Sequence, residues 1–82
     1  MSRTADPESL LRYLVTSLVD APDDVSIVKK VSSGSTVYEI SVDPDDVGKV
    51  IGRQGRIIKA IRTVIRAASS VNGDHVDVEV LG

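Results

Sequence analysis

In Val47-Gly48-Lys49-Val50-Ile51-Gly52-Arg53-Gln54-Gly55-Arg56-Ile57-Ile58-Lys59-Ala60, two glycines, Gly52 and Gly55, bracket a basic and a polar residue. An apolar-rich segment lies on either side. A glycine inside a helix costs roughly 1 kcal/mol relative to alanine, so two of them three residues apart predict a turn rather than a continuous helix. The stretch therefore reads as helix, four-residue turn, helix. It is also densely basic within a chain whose net charge is −2. Six of the ten cationic residues (Lys49, Arg53, Arg56, Lys59, Arg62 and Arg66) fall between positions 49 and 66, and no Asp or Glu occurs between Asp46 and Asp74. For choice of partner, such local asymmetry outweighs the total charge.

Outward from this stretch the elements follow from period and punctuation. Asp6-Pro7-Glu8 has the grammar of a helix start, with Asp6 as N-cap, Pro7 in the first helical position and Glu8 at the positive end of the dipole. Leu10, Leu11, Leu14, Leu18 and Val19 recur at helical spacing until Ala21-Pro22 ends the run. Val25 to Val31 is rich in β-branched residues, Ser32-Ser33-Gly34-Ser35 is a turn signal, and Thr36 to Val42 alternates with Tyr38, Ile40 and Val42 on one face. These two runs predict an antiparallel hairpin. Asp43-Pro44-Asp45-Asp46 repeats the helix-start grammar, so a short helix runs to about Ile51. Beyond the turn, Ile57, Ile58, Ile61, Val64, Ile65 and Ala68 give a second helix its apolar face, from Arg56 to about Val71, with the cations mainly off that face. Val71 to Asp74 reads as a loop. His75 to Leu81 closes as a strand, with Val76, Val78 and Val80 inward and Asp77 and Glu79 outward.

The predicted order is α-β-β-α-α-β. A helical crossover between the second and third strands implies a parallel, right-handed connection. The fold class is therefore α+β, a three-stranded mixed sheet covered on one face by three helices. The opposite face, carrying Glu39, Asp77 and Glu79, is expected to be solvated and acidic. At 82 residues the chain reads as one domain, 1–82.

Composition narrows the function. There is no cysteine, hence no disulfide, thiol nucleophile or cysteine-ligated zinc. No signal-peptide pattern and no membrane span are read, which makes a cytoplasmic location the expectation. With Tyr13 and Tyr38 as the only aromatic residues, modules that stack bases on aromatic platforms have little to work with. Any nucleic-acid contact must use aliphatic surface, backbone amides and positive charge. His75 is the only histidine and has no partner for a metal or a general-base role; Asp43, Asp45 and Asp46 read as capping residues. The glycine spacing fits neither a Walker loop nor a dinucleotide fingerprint. No catalytic residue, metal or cofactor is expected.

The turn itself has binding chemistry. A turn feeding a helix N-terminus exposes amides without intrahelical partners, and these with the helix dipole attract phosphate. Glycine removes the Cβ that would hold a nucleotide backbone away. Arg53 can add a charge-assisted bond, and Gln54 can donate or accept neutrally. Ile51, Ile57 and Ile58 straddle the turn, divided between the core and a groove on which bases lie. The glycines alone fit equally well a tight connection between two helices. The acid-free basic run and the element order favour binding.

Val50-Ile51-Gly52-Arg53-Gln54-Gly55-Arg56-Ile57-Ile58-Lys59-Ala60-Ile61-Arg62, with its I-G-x-x-G core, resembles the small bacterial single-KH proteins of the KhpA (YlqC) family, and the likeness covers nearly the whole chain. It implies a type II KH domain with its G-x-x-G loop at 52–55, single-stranded RNA as ligand, and a homodimer or a heterodimer with a larger Jag-type KH protein. It further implies a role as post-transcriptional regulator or RNA chaperone linked to cell elongation and division. Gly52, Arg53, Gln54 and Gly55 would then be the phosphate-contacting loop, supported by Arg56, Lys49, Lys59, Ile51 and Ile58. The groove would lie between the flanking helices and the last strand, with the Ser69–Asp74 loop at its rim. Two alternatives stand beside this reading: a protein-interaction adaptor with a vestigial KH loop, and a single-stranded DNA binder.

Overall fold

In the computed structural model, which describes residues 6–70 and 75–82, the elements run α1 (Pro7–Leu18), β1 (Ser26–Ser32), β2 (Ser35–Ser41), α2 (Val47–Ile51), α3 (Arg56–Ser70) and β3 (His75–Val80). Short 3-10 turns occupy Pro22–Asp24, Pro44–Asp46 and Arg53–Gly55. This is the α-β-β-α-α-β order read from the sequence. The predicted loop at Val71–Asp74 lies outside the described residues.

The helix starts work as their sequences suggest, with one change of partner. Asp6 precedes Pro7, but its carboxylate accepts from the Ser9 hydroxyl at 3.0 Å and not from a backbone amide. Asp43 does cap, accepting from the Asp45 amide at 2.9 Å. The helix predicted to begin at Pro44 starts as a 3-10 turn, and α-helix proper begins only at Val47.

The sheet has the order β1-β2-β3. β1 and β2 pair antiparallel, with Lys29 opposite Tyr38, and β2 and β3 pair parallel, with Tyr38 opposite Val78. The crossover through α2 and α3 thus gives the expected parallel pair. β3 is an edge strand with one side unpaired within the sheet.

The period-2 pattern places Tyr38 and Ile40 from β2 and Val76 and Val78 from β3 under the helices, where all four are buried. Leu11 and Val15 from α1, Val50 from α2, and Ile58, Ile61 and Ile65 from α3 complete the same core, with Leu10, Leu14, Leu18, Ile51 and Ile57 packed at its margin. With no Phe or Trp in the chain, this core is almost wholly branched aliphatic. At roughly 1.5–3 kcal/mol for each fully buried aliphatic side chain, it is the main stabilising term.

Two expectations need correction. Val64, read as part of the apolar face of α3, is 43% exposed, because that face is wider than the sheet beneath it. The outer sheet face is acidic in composition but partly neutralised: Glu39 pairs with Lys30 at 3.1 Å, and Asp77 pairs with Arg66 of α3 at 3.0 Å. Only Glu79 of the three acids meets no cation among the described residues. The arginines reach Asp77 because it sits on the edge strand, where a long side chain from the covering helix can pass beside the sheet.

Candidate nucleic-acid interface

α2 stops at Ile51 because Gly52 leaves helical space, with φ 77° and ψ 173°. Its amide still donates to the Gly48 carbonyl at 2.8 Å, closing the last turn of α2. A side chain is costly here for a second reason. A Cβ built on Gly52 would lie 2.5 Å from Ile57 Cγ1 and 2.9 Å from both its Cβ and Cδ1. Gly52 is therefore where the first turn of α3 presses against the end of α2.

The chain reverses through Arg53, Gln54 and Gly55. Gln54 sits in the left-handed region at φ 58° and ψ 25°, and Gly55 also has positive φ, 73°. Left-handed backbone costs a non-glycine residue about 1–2 kcal/mol, which the neighbouring packing must hold in place. Around Gly55 a Cβ would meet nothing closer than 3.9 Å, from Ile58 Cγ2 and Lys59 Cε, so its glycine answers to conformation and not to space. The amide of Gly55 donates to Gly52 at 3.1 Å and that of Arg56 to the Arg53 carbonyl. The amides of Arg53 and Gln54 take no part in these bonds. They lie just before the N-terminus of the 15-residue helix α3, whose dipole favours an anion at that end.

The site residues named from sequence separate into three groups. Arg53, Gln54, Arg56 and Lys59 are exposed at the turn. Arg56 donates to Gln54 Oε1 at 3.5 Å, and the Lys59 chain lies close to Gly55. Arg53, Arg56 and Lys59 meet no carboxylate among the described residues. Ile51 and Ile58 belong to the second group. Ile58 is buried in the core and Ile51 half-buried against it, so Ile58 supports the turn from below and offers no groove surface.

Lys49 stands alone. Its ammonium is 2.9 Å from Asp46 and 3.0 Å from Asp20, and Asp46 is buried. Asp46 accepts in addition from the Ala21 amide at 3.1 Å. The three residues tie the start of α2 to the chain leaving α1. The Lys49 hydrogen bond holds the Asp46 carboxyl below its ordinary value, while the two carboxylates raise the Lys49 ammonium above its own. Sequence reading assigned Asp46 to capping and Lys49 to the ligand. The i,i+3 spacing of Asp46 and Lys49 was the available clue, but the contact with Asp20 is long-range.

Sequence also left Arg62 and Arg66 without a specific role. Arg62 Nε donates to the Val78 carbonyl at 2.9 Å and lies 3.6 Å from Asp77; Arg66 donates to Asp77 at 3.0 Å. Burial alone would raise the Asp77 carboxyl. The Val78 amide and the two guanidiniums more than offset it and hold Asp77 below its ordinary value. Between α1 and α3 lies a separate groove of about 380 Å³, lined by Leu14, Leu18, Ile57, Ala60, Ile61 and Val64, with Ser17 and Arg56 beside them. No helix among the described residues is long and apolar enough to cross a membrane.

Comparison with known proteins bears on the fold and the family. Against solved structures, the chain superposes on Aquifex aeolicus Era bound to GDP and aluminium fluoride with a TM-score of 0.65. The identity is 19%, over 90% of this chain and 29% of that one. An Era complex with a nucleotide and a segment of 16S ribosomal RNA gives 0.63 at 20% identity, over 90% of this chain and 28% of that one. At such identities the likeness is one of fold. Sequence relatives are much nearer. RNA-binding protein KhpA of Clostridium acetobutylicum is 47% identical over 90% of this chain and 99% of its own length. The proteins of the same description from Oceanobacillus iheyensis and Chlamydia pneumoniae are 42% and 39% identical over 90% of this chain, covering 99% and 95% of their own lengths. The family model described as KhpA/KhpB, KH domain, matches residues 8–80. The chain thus belongs to the KhpA/KhpB family of KH domains, whose KhpA members are described as RNA-binding proteins.

Proposed function

We propose that this chain, acting as one KH domain, binds single-stranded RNA through the Gly52–Gly55 turn. The observation that carries the reading is the grouping at that turn of three cations without carboxylate partners among the described residues, Arg53, Arg56 and Lys59, beside the amides of Arg53 and Gln54. The kinship with KhpA proteins adds to it. Gly52 lets the turn form and keeps side-chain bulk from its entry. The amides and Arg53 receive a phosphate, Gln54 contacts sugar or base edge, and Arg56 and Lys59 neutralise the phosphates on either side. A KH loop of this kind clamps about four nucleotides. Contact is mainly with the backbone and base selection is weak, because the chain has no Phe or Trp to stack on and Ile58 is in the core.

Three neutralised phosphates on a single strand correspond to a slope of about −2 in log K against log salt. Anisotropy titrations of a short fluorescent RNA across salt test this directly. A slope near zero would remove the turn from the binding account. Parallel titrations of single-stranded DNA and duplex RNA distinguish ligand classes; equal affinity for DNA would make the ligand single-stranded nucleic acid in general.

A second surface supports a partner. The apolar groove between α1 and α3 leaves Val64 exposed beside Ile57 and Ile61, and one family description spans both KhpA and KhpB domains. We read the groove as the contact for a second KH chain, either another copy or a larger Jag-type protein. Dimerisation would double the RNA contacts and raise a weak single-domain affinity by avidity. In this reading the protein works in the cytoplasm as a post-transcriptional regulator or RNA chaperone connected with cell elongation and division. Solution mass with and without RNA, and with a Jag-type partner, separates this from a pure adaptor role.

A further inference from the structure

Along α3 the cations do not end at the turn. At 3.6 residues per turn, Lys59, Arg62 and Arg66 fall within a stripe of about 60° that runs roughly 10 Å along the helix from Lys59 to Arg66. Its upper part, Arg62 and Arg66, reaches the edge strand β3. Its first member is free of carboxylates among the described residues. Its other two converge on one group: Asp77 lies 3.0 Å from Arg66 and 3.6 Å from Arg62, while Arg62 also covers the Val78 carbonyl. The Asp77 carboxylate thus occupies two guanidiniums in the way a phosphate oxygen would.

These ion pairs are not core elements. The side chains of Arg66 and Asp77 are about half exposed and that of Arg62 about one-third. Exposed pairs of this kind add little to stability and exchange readily with other anions. An RNA backbone leaving the turn along α3 meets first three cations without carboxylate partners among the described residues and then two that are already engaged.

We infer that Asp77 sets the affinity and footprint of the chain for RNA by holding Arg62 and Arg66, two latent phosphate ligands that extend the turn's cationic ridge along the seam between α3 and β3. The inference rests on the RNA-binding reading of the turn. Carboxylate and phosphate compete for the same guanidinium forks, and the outcome depends on salt and on RNA length. A short RNA held at the turn ends before the pairs; a longer one reaches Arg62 and Arg66 but finds their guanidiniums held by Asp77.

The test is salt-dependent anisotropy with single-stranded RNA of about four and about ten nucleotides, on wild type and Asp77→Asn. The variant keeps the side chain's shape and removes its charge. With the longer RNA, two further phosphate contacts steepen the slope from near −2 towards −3.5 and raise affinity roughly tenfold at about 50 mM salt. The short RNA changes little. Adding Arg62→Gln and Arg66→Gln to Asp77→Asn cancels the gain. If wild type binds RNA with the expected slope and a folded Asp77→Asn binds the longer RNA no better or less steeply, the inference is overturned while the turn's role stands. If wild type shows no salt-dependent binding, the RNA reading itself falls and takes the inference with it. Asp77→Ser is the second variant. Loss of folding in both, seen by circular dichroism, would make Asp77 a structural residue and likewise overturn the inference.

Discussion

Gly52 and Ile57 are in such close register that a single added carbon on the glycine would fall 2.5 Å from the isoleucine's Cγ1. The contact joins the last residue leaving α2 to the first turn of α3, and so fixes the angle at which the turn is presented. Gly52 also occupies a backbone region essentially reserved for glycine, with φ 77° and ψ 173°. Gly52→Ala is expected to cost about 3 kcal/mol or more, from backbone strain and a displaced Ile57 together. Gly55→Ala, with positive φ but open space, is expected to cost about 1–2 kcal/mol. Urea denaturation of the two variants checks this ordering. Equal costs would mean that the Gly52–Ile57 contact does not define the turn.

Lys49 sits on the same short helix but is held by Asp20 and Asp46, away from the role of a phosphate ligand. Lys49→Met is expected to lower the urea midpoint, because it leaves the buried Asp46 without its cation. It should also weaken RNA binding by loosening α2 while leaving the salt slope at about −2, since no phosphate contact is lost. A slope shallower by about 0.7 would instead make Lys49 a direct ligand.

The same pair predicts how stability follows pH. The folded Asp46 carboxyl lies below its ordinary value of 3.8, so its contribution is present above that pH and is lost as pH falls through the folded value. The folded Lys49 ammonium lies above its ordinary 10.5, so its contribution is complete below that pH and is lost as pH rises beyond it. Thermal melts of wild type and Lys49→Met should therefore differ by a constant amount between about pH 5 and pH 10 and converge outside that window. A difference that grew below pH 4 would have the wrong sign.

Ser69 is buried on α3, and its hydroxyl finds no hydrogen-bond partner among the described residues. Ser69→Ala removes that unsatisfied group and replaces it with a better helix former. It is expected to raise stability by about 1 kcal/mol. A loss of stability would show that the hydroxyl is bonded.

The fold was legible because its determinants are local. Asp-Pro pairs mark two helix starts, the alternation of Tyr38 and Ile40 marks the inward face of β2, and Gly52 and Gly55 mark the turn. The turn's chemistry was legible for the same reason, since Arg53, Gln54, Arg56 and Lys59 lie together in sequence and in space. What sequence could not show was how the basic run divides. Whether a lysine or arginine is free depends on carboxylates that the fold brings from elsewhere, Asp20 to Lys49 and Asp77 to Arg62 and Arg66. Six cations in eighteen positions looked like one positive face, and three of them are engaged. Ile58 and Val64 exchanged expected roles similarly. The width of the apolar stripe on α3 was visible, but not which edge of it the sheet would cover.

The central claim is that Arg53 and Gln54, lifted out between Gly52 and Gly55, hold the RNA backbone. The most direct test is fluorescence anisotropy of a short single-stranded RNA with wild type and the Arg53→Asp/Gln54→Asp double variant, both shown folded by circular dichroism. Two carboxylates placed where a phosphate should sit are expected to lower affinity at least tenfold at about 50 mM salt and to flatten the salt slope. A folded double variant that binds as tightly as wild type, with the same slope, would contradict the account.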